Sequence, residues 1–586
     1  MLPLLYIFVI ALLVGYAVYL TALPRPIPGI PYHKSSAARV AGDALSMIRH
    51  ARQHGTVFDW MAQQADALNS PIFQLFLKPF SKPAVFITDP REAQDILLRR
   101  TEDFDRSGFF QDVFAGTVPH CHVIQPTNEK FRQGRRLLAD AMGAPFLNRV
   151  AAPLLHKHSL HLMELWRVKS TAAVGHAFWA ADDISSFALD SIWDVAFGSQ
   201  LDSLPGETDF LKSITKFEMP LSKDDPIDWP KRKVNEAADA MRVLTHGLDV
   251  AVTSPIPSLS HWLLSCTSSY RHARAYKEHL VKGRLDNAKS RLIYRTAAHK
   301  TTADDLEGIT CATDHMVRRE SQAARRENRT PNYESRQAQD ELFGFLVGGY
   351  DTTATTLMWS TKLMADNPHV QSKLRKALWD IFGNNGIPPT PEQITTTRIP
   401  YLDAVVEEVI RCAQTASSAI RVALRDTQLL GYRIPKGVDV YMLSNGPGYM
   451  KPDGVNQSIP EAARSHSSRQ NKRRAMPSWA PDDIAAFRPE RWIKVSERGI
   501  ENFNANAGPS MQFGMGLRGC FGKRLAYLEI RILLVMLLWN FELRLVPEKL
   551  RGYEAFDTLT HKPKKCYIDL RQLELQEGGG GIAAII

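Results

Sequence analysis

Phe513-Gly-Met-Gly516-Leu-Arg518-Gly-Cys520-Phe-Gly522 sets a single cysteine in a glycine-rich turn, and a long apolar run follows it at once. The other cysteines, Cys121, Cys266, Cys311, Cys412 and Cys566, sit in sequence that suits the ordinary fate of a free cysteine, burial as a small apolar side chain. Cys520 differs because its neighbours are specified. Gly516 lets the backbone take a positive φ and turn N–H groups toward the sulfur, while Gly522 permits close approach at a helix start. Those donors and the positive end of the following helix favour a thiolate. Arg518, two residues earlier, is placed for a charge-assisted pair with an anion. Phe513 is placed to shield the sulfur from water.

This turn resembles the haem loop of the cytochrome P-450 family, the haem-thiolate monooxygenases. The family pattern Phe-x-x-Gly-x-Arg-x-Cys-x-Gly is matched at every specified position from Phe513 to Gly522. The resemblance implies haem b as cofactor, Cys520 as its axial thiolate, Arg518 on a propionate and Phe513 tuning the iron. It also implies a mainly α fold with small β-sheets and the haem between a long central helix and the cysteine loop.

Other motifs of the family occur upstream in order. In Tyr401-Leu-Asp-Ala-Val-Val-Glu-Glu408-Val-Ile-Arg411, Glu408 and Arg411 lie three apart on one helix face. Alone such a pair is an ordinary surface feature, but Phe487-Arg-Pro489-Glu490-Arg491-Trp492 supplies the third member of the family's buried charge network, whose role is structural. Arg421 stands where members often carry a propionate-binding arginine, with Arg425 a near competitor. Asn128-Glu-Lys-Phe131-Arg-Gln-Gly134-Arg135-Arg136 resembles the helix that usually reads Trp-x-x-x-Arg, so Arg135 carries over as a propionate ligand. Phe131 replaces the tryptophan and has no N–H to donate.

The stretch from Asp340 through Gly348-Gly349-Tyr350-Asp351-Thr352 holds two adjacent glycines in an apolar helix, each costing roughly 1 kcal/mol relative to alanine. Close passage over a flat macrocycle is one reason for them, and close helix packing is the other. The stretch resembles the family's oxygen-activation motif. That implies Gly349 against the haem, Thr352 bonding back to a helix carbonyl to make room for water, and Asp351 relaying protons.

At 586 residues, the order of motifs points to one catalytic domain over 33–575. Residues 1–23 carry no charged side chain and are expected to form a retained transmembrane anchor. Basic residues follow the span and none precedes it, which predicts the endoplasmic-reticulum membrane with a cytosolic domain. A proline-rich tether follows at 24–32, the polar segment 451–478 reads as an inserted, mobile surface loop, and 576–586 as a flexible tail. Asn328-Arg-Thr330 and Asn456-Gln-Ser458 are formal glycosylation sequons, expected to stay unmodified.

The net charge of +10 is spread along the chain and gives no nucleic-acid signal. No Gly-x-Gly-x-x-Gly turn follows a strand, so electrons are expected from a partner. The resemblance implies the NADPH-dependent cytochrome P-450 reductase, docking on the cysteine side beside Lys130, Arg132, Arg136, Lys523 and Arg524. The expected reaction inserts one atom of O2 into an apolar small-molecule substrate, in the style of fungal terpenoid or polyketide tailoring. The regions expected to contact substrate are residues 107–125, 345–349, 416–421 and 557–560. A haem-thiolate isomerase or dehydratase and a non-catalytic haem sensor are the alternatives, and neither needs the Asp351–Thr352 pair.

Overall fold

A computed structural model describes residues 2–297, 308–384 and 386–573. The tail expected at 576–586 lies outside the described residues.

The helix Arg336–Asp366 runs through the centre. Its start is fixed by Ser335, whose Oγ accepts from the Ala338 N–H at 3.1 Å. Around it pack the helices Ala181–Phe197, Pro400–Ala413 and Lys523–Asn540. The last of these is apolar nearly all round from Ile530 to Trp539, which suits a helix with neighbours on every side. A five-stranded sheet flanks this core in the order Ile72–Leu75, Ala84–Ile87, Asp439–Leu443, Ser418–Ala423, Phe104–Arg106. Ala84–Ile87 is buried on both faces and has a parallel neighbour, which explains its unbroken apolar run.

The charge network forms as the motifs implied. Glu408, fully buried, takes Arg411 Nη2 at 2.7 Å, Arg491 Nε at 3.0 Å and Trp492 Nε1 at 2.9 Å. It therefore bolts the helix Pro400–Ala413 to the segment that leads into the cysteine loop.

Three expectations are corrected. The insertion 451–478 is docked rather than mobile: Arg464 makes two bonds to Asp89, at 2.7 and 3.0 Å, and Ser465 donates to Asp95 at 2.8 Å. Asp89 caps the helix Pro90–Leu98 and Asp95 lies within it; both are buried, so the insertion supplies hydrogen-bond partners to oxygens that water does not reach. The tether is likewise seated from Ile27 on, where Gln74 bonds the backbone of Ile27 and Ile30. Finally, among the described residues no helix is long and apolar enough to cross a membrane. Residues Leu2–Ala22 do form a helix without a charged side chain. Of the two sequons, Asn456 is buried and bonds the carbonyls of Thr88 and Pro447, so it is closed to modification on either side of a membrane.

Candidate active site

A cavity of about 320 Å³ separates the central helix from the cysteine loop. Phe345, Gly348 and Thr352 line one wall, and Phe513, Cys520 and Gly522 the other. The loop keeps its shape because Gly514 and Gly516 sit at φ +60° and +65°, and because the Cys520 N–H donates to the Phe513 carbonyl at 2.7 Å. A Cβ on Gly516 would come within 2.5 Å of the Leu97 carbonyl oxygen, so the helix Pro90–Leu98 supports the loop from behind. The Cys520 sulfur is open to the cavity but enclosed by protein elsewhere. Burial raises its pKa, against the pull of the Gly522 and Lys523 N–H groups and the charges of Arg135 and Lys523. A cation bonded to the sulfur would tip this balance to the thiolate.

The arginines divide their work. Arg518 stacks on Phe131 with 4.1 Å to the ring centroid, pairs with Asp105 at 3.3 Å and bonds the Gln125 carbonyl. Its Nε and Nη1 are buried and have no partner. Arg421 is buried in the flanking sheet, whereas Arg425 is on the surface with Asp103. Directly opposite Arg421 in the strand register is Arg106, partly buried and lining the cavity, with a buried, unpartnered Nε. Burial and the charges of Arg421 and Arg518 push the Arg106 pKa well down, and Arg421 falls to about 10 through burial and the charge of Arg518. Sequence reasoning misses Arg106, since a strand arginine is unremarkable until its cross-strand neighbour is known. Arg135 also lines the cavity. Its Nη1 donates at 3.1 Å to both the Leu517 and Gly519 carbonyls, so it fastens the cysteine loop.

The two glycines of the central helix also separate. A Cβ on Gly348 would meet open space, so bare backbone faces the cavity there. A Cβ on Gly349 would meet Ile192 Cδ1 at 2.5 Å, so Gly349 packs closely on the helix Ala181–Phe197 at the edge of the cavity, which both residues line. Thr352 Oγ1 donates to the Gly348 carbonyl one turn back at 2.6 Å, as expected. Asp351 is buried and accepts from Thr560 Oγ1 at 2.9 Å and from Lys562 Nζ at 2.7 Å. Lys562 in turn reaches Asp249 at 3.8 Å. Burial would lower the Lys562 pKa, but Asp351 and Asp249 outweigh it and hold it up. A second cavity of about 430 Å³ touches Asp249, Asp351 and Lys562, so these charges join the buried acid to a polar space on the far side of the helix. Of the expected substrate regions, Phe114, Val118, Val123, Phe345 and Leu559 line the main cavity, and none of residues 416–421 does.

A model of the Cytochrome P450 family matches residues 44–449 and 483–568. The chain is a cytochrome P450. The stretch left unmatched, 450–482, contains the docked insertion. Cytochrome P450 monooxygenase TRI13 of Fusarium sporotrichioides is 36% identical, covering 96% of this chain and 98% of that one. Cytochrome P450 monooxygenase GME11363 of Pestalotiopsis microspora is also 36% identical, over 95% and 96%. The crystal structure of cytochrome P450DA heme domain shares the fold, with TM-score 0.65 and 17% identity over 95% of this chain and 99% of that one.

As a P450 monooxygenase the chain takes haem with the Cys520 thiolate as axial ligand. The residues present fit that group. Arg106, Arg421 and Arg518 face a single carboxylate, Asp105, which leaves an excess positive charge that two propionates would balance. The orphaned N–H groups of Arg106 and Arg518 are unexplained without such an anion. Like charges opposed across a sheet destabilise it. Arg106→Met should therefore raise the melting temperature of the haem-free protein while speeding haem loss roughly tenfold, the worth of one charged hydrogen bond. Melting curves of both forms and haem transfer to an acceptor globin check this, and slower haem loss in the variant would contradict it.

Proposed function

We propose that this chain is a membrane-associated monooxygenase that inserts one atom of O2 into an apolar organic substrate of terpenoid or polyketide type, in secondary-metabolite biosynthesis. The observation that carries the reading is the Thr352–Gly348 bond beside an apolar cavity, with buried Asp351 next to it on a polar path. Haem, when bound, supplies the reductive activation of O2, and the protein supplies protons and an apolar space. By bonding Gly348, the Thr352 hydroxyl keeps its lone pairs turned to the cavity, where they can hold a water. Asp351 takes a proton on the Lys562 side, and release of that ion pair frees its carboxyl to pass the proton toward Thr352. Phe114, Val118, Phe345 and Leu559 hold a greasy substrate and exclude bulk water.

The membrane proposal rests on two exposed apolar faces. One is the uncharged helix Leu2–Ala22, which exposes Ile7, Phe8 and Ile10 and is proposed to rest against the endoplasmic-reticulum membrane with the domain on the cytosolic side. The other is the helix Pro257–Ser265, which with the preceding Ile256 exposes Leu259, Trp262 and Leu263. The electron donor is proposed to be the NADPH-dependent reductase, met by the exposed Lys130, Lys523 and Arg524. Arg132 and Arg136 are turned onto Glu129 and contribute less to that encounter.

Microsomes carrying this chain and the reductase, given apolar terpenoid and polyketide substrates under ¹⁸O2, should yield NADPH-dependent products with one labelled oxygen. Products that form without NADPH or carry no label would overturn the reading in favour of an isomerase or dehydratase.

A further inference from the structure

The loop between the helices Gly108–Phe114 and Glu129–Leu137 carries Cys121 and His122 to the central helix at Glu341, about two turns before Gly348. His122 Nδ1 lies 2.5 Å from Glu341 Oε2, and Cys121 Sγ lies 3.5 Å from that oxygen and 3.7 Å from Nδ1. Three potential ligand atoms of different type thus point at one another within 4.8 Å. Cys121 and Glu341 are buried, while His122 is partly open to the cavity. None of the three takes part in the oxygen chemistry or the arginine cluster.

Two glycines keep this space clear. A Cβ on Gly134 would collide with Glu341 Oε1, and one on Gly344 would approach Cys121 Sγ to 2.8 Å. Any longer side chain at Gly134 would fill the room that the Glu341 carboxylate uses.

We propose that Cys121, His122 and Glu341 bind a thiophilic divalent cation of the zinc class. Sulfur, imidazole and carboxylate together form a donor set for zinc, and the sulfur disfavours magnesium and calcium. Tetrahedral zinc with bonds of about 2.0 to 2.3 Å needs its ligand atoms roughly 3.3 to 3.6 Å apart. The sulfur to Oε2 separation of 3.5 Å fits and the sulfur to Nδ1 separation of 3.7 Å is slightly long, so the main change needed is that the Nδ1 to Oε2 distance opens. On binding, the Cys121 proton leaves to solvent and the sulfur coordinates as thiolate. The fourth position faces the cavity through the open side of His122. The ion would staple the irregular loop that walls the cavity to the central helix. Because the His122 ring packs on Phe131 and on Phe521, the residue after the axial cysteine, zinc should also slow substrate turnover.

The test uses the full, haem-loaded chain, in which Cys520 is already committed, with zinc ion alone as the probe. Zinc X-ray absorption on protein with one equivalent of metal should show one sulfur near about 2.3 Å and lighter atoms near about 2.0 Å. Cys121→Ser should remove the sulfur shell, and Glu341→Gln should weaken binding about tenfold or more. The carbon monoxide spectrum of each variant shows that the haem site is intact. A wild-type shell of nitrogen and oxygen only, a sulfur shell that survives Cys121→Ser, or no stoichiometric binding would each overturn the proposal.

Discussion

Glu408→Gln should leave almost no haem-loaded protein. The carboxylate is fully buried and serves Arg411 through Nε at 2.8 Å and Nη2 at 2.7 Å, Arg491 Nε at 3.0 Å, the Arg488 N–H at 2.8 Å and Trp492 Nε1 at 2.9 Å. An amide keeps the shape but removes the charge, and its NH2 faces donors. Arg411 then loses its carboxylate partner in the interior, a cost of roughly 3 to 5 kcal/mol, while Arg491 keeps Asp483 at 3.0 Å. Against a total stability of about 5 to 15 kcal/mol, that is enough to unfold much of the population at growth temperature. The damage falls on the join between the helix Pro400–Ala413 and the approach to the cysteine loop, so haem retention should fail before secondary structure does. Soluble yield, haem content and thermal melting measure this together. A variant with wild-type melting and haem content would show that the network is dispensable.

Asp351→Asn and Thr352→Ala should each cut product formation roughly 10²-fold, the scale of a lost proton-transfer group, while NADPH consumption continues and hydrogen peroxide appears instead. The two defects arise differently. The amide of the Asp351→Asn variant would keep the contact with Thr560 but lose the charge that holds Lys562, so its defect should be in the rate of proton delivery and should show a larger solvent isotope effect. The Thr352→Ala variant would free the Gly348 carbonyl and lack the hydroxyl that positions water, so its defect should be in coupling, the fraction of NADPH that ends in product. Steady-state product, NADPH and peroxide measured side by side separate them. Unchanged coupling in both variants would mean that protons reach the site by another path and would reopen the isomerase reading.

Much of this was legible because the family's motifs are local. The turn around Cys520, the Glu408–Arg411 spacing and the Gly348 to Thr352 stretch each place their residues through one helix or one loop, and their backbone and hydrogen bonds took the expected form. What was not legible depends on contacts between distant segments. Lys562 comes to Asp351 from a hairpin far along the chain, and Asp249 from another helix. Arg106 gains meaning only opposite Arg421. The Gly348-Gly349 pair reads as one feature, yet successive helix positions point about 100° apart, so Gly348 meets open cavity while Gly349 lines its edge and is packed against Ile192. The polar insertion looked mobile by composition, because its partners Asp89 and Asp95 belong to a helix and its cap more than 350 residues earlier.

The central claim is that Cys520 presents its sulfur to haem iron across the cavity from Gly348 and Thr352. The most direct measurement is the spectrum of the reduced, carbon monoxide-bound protein in membranes, beside Cys520→Ser. A thiolate opposite carbon monoxide gives a strongly red-shifted Soret band that neutral ligands do not. The wild type should show that band, and Cys520→Ser should lose it while keeping the fold by circular dichroism. A wild type without the band, or a variant that keeps it, would contradict the assignment.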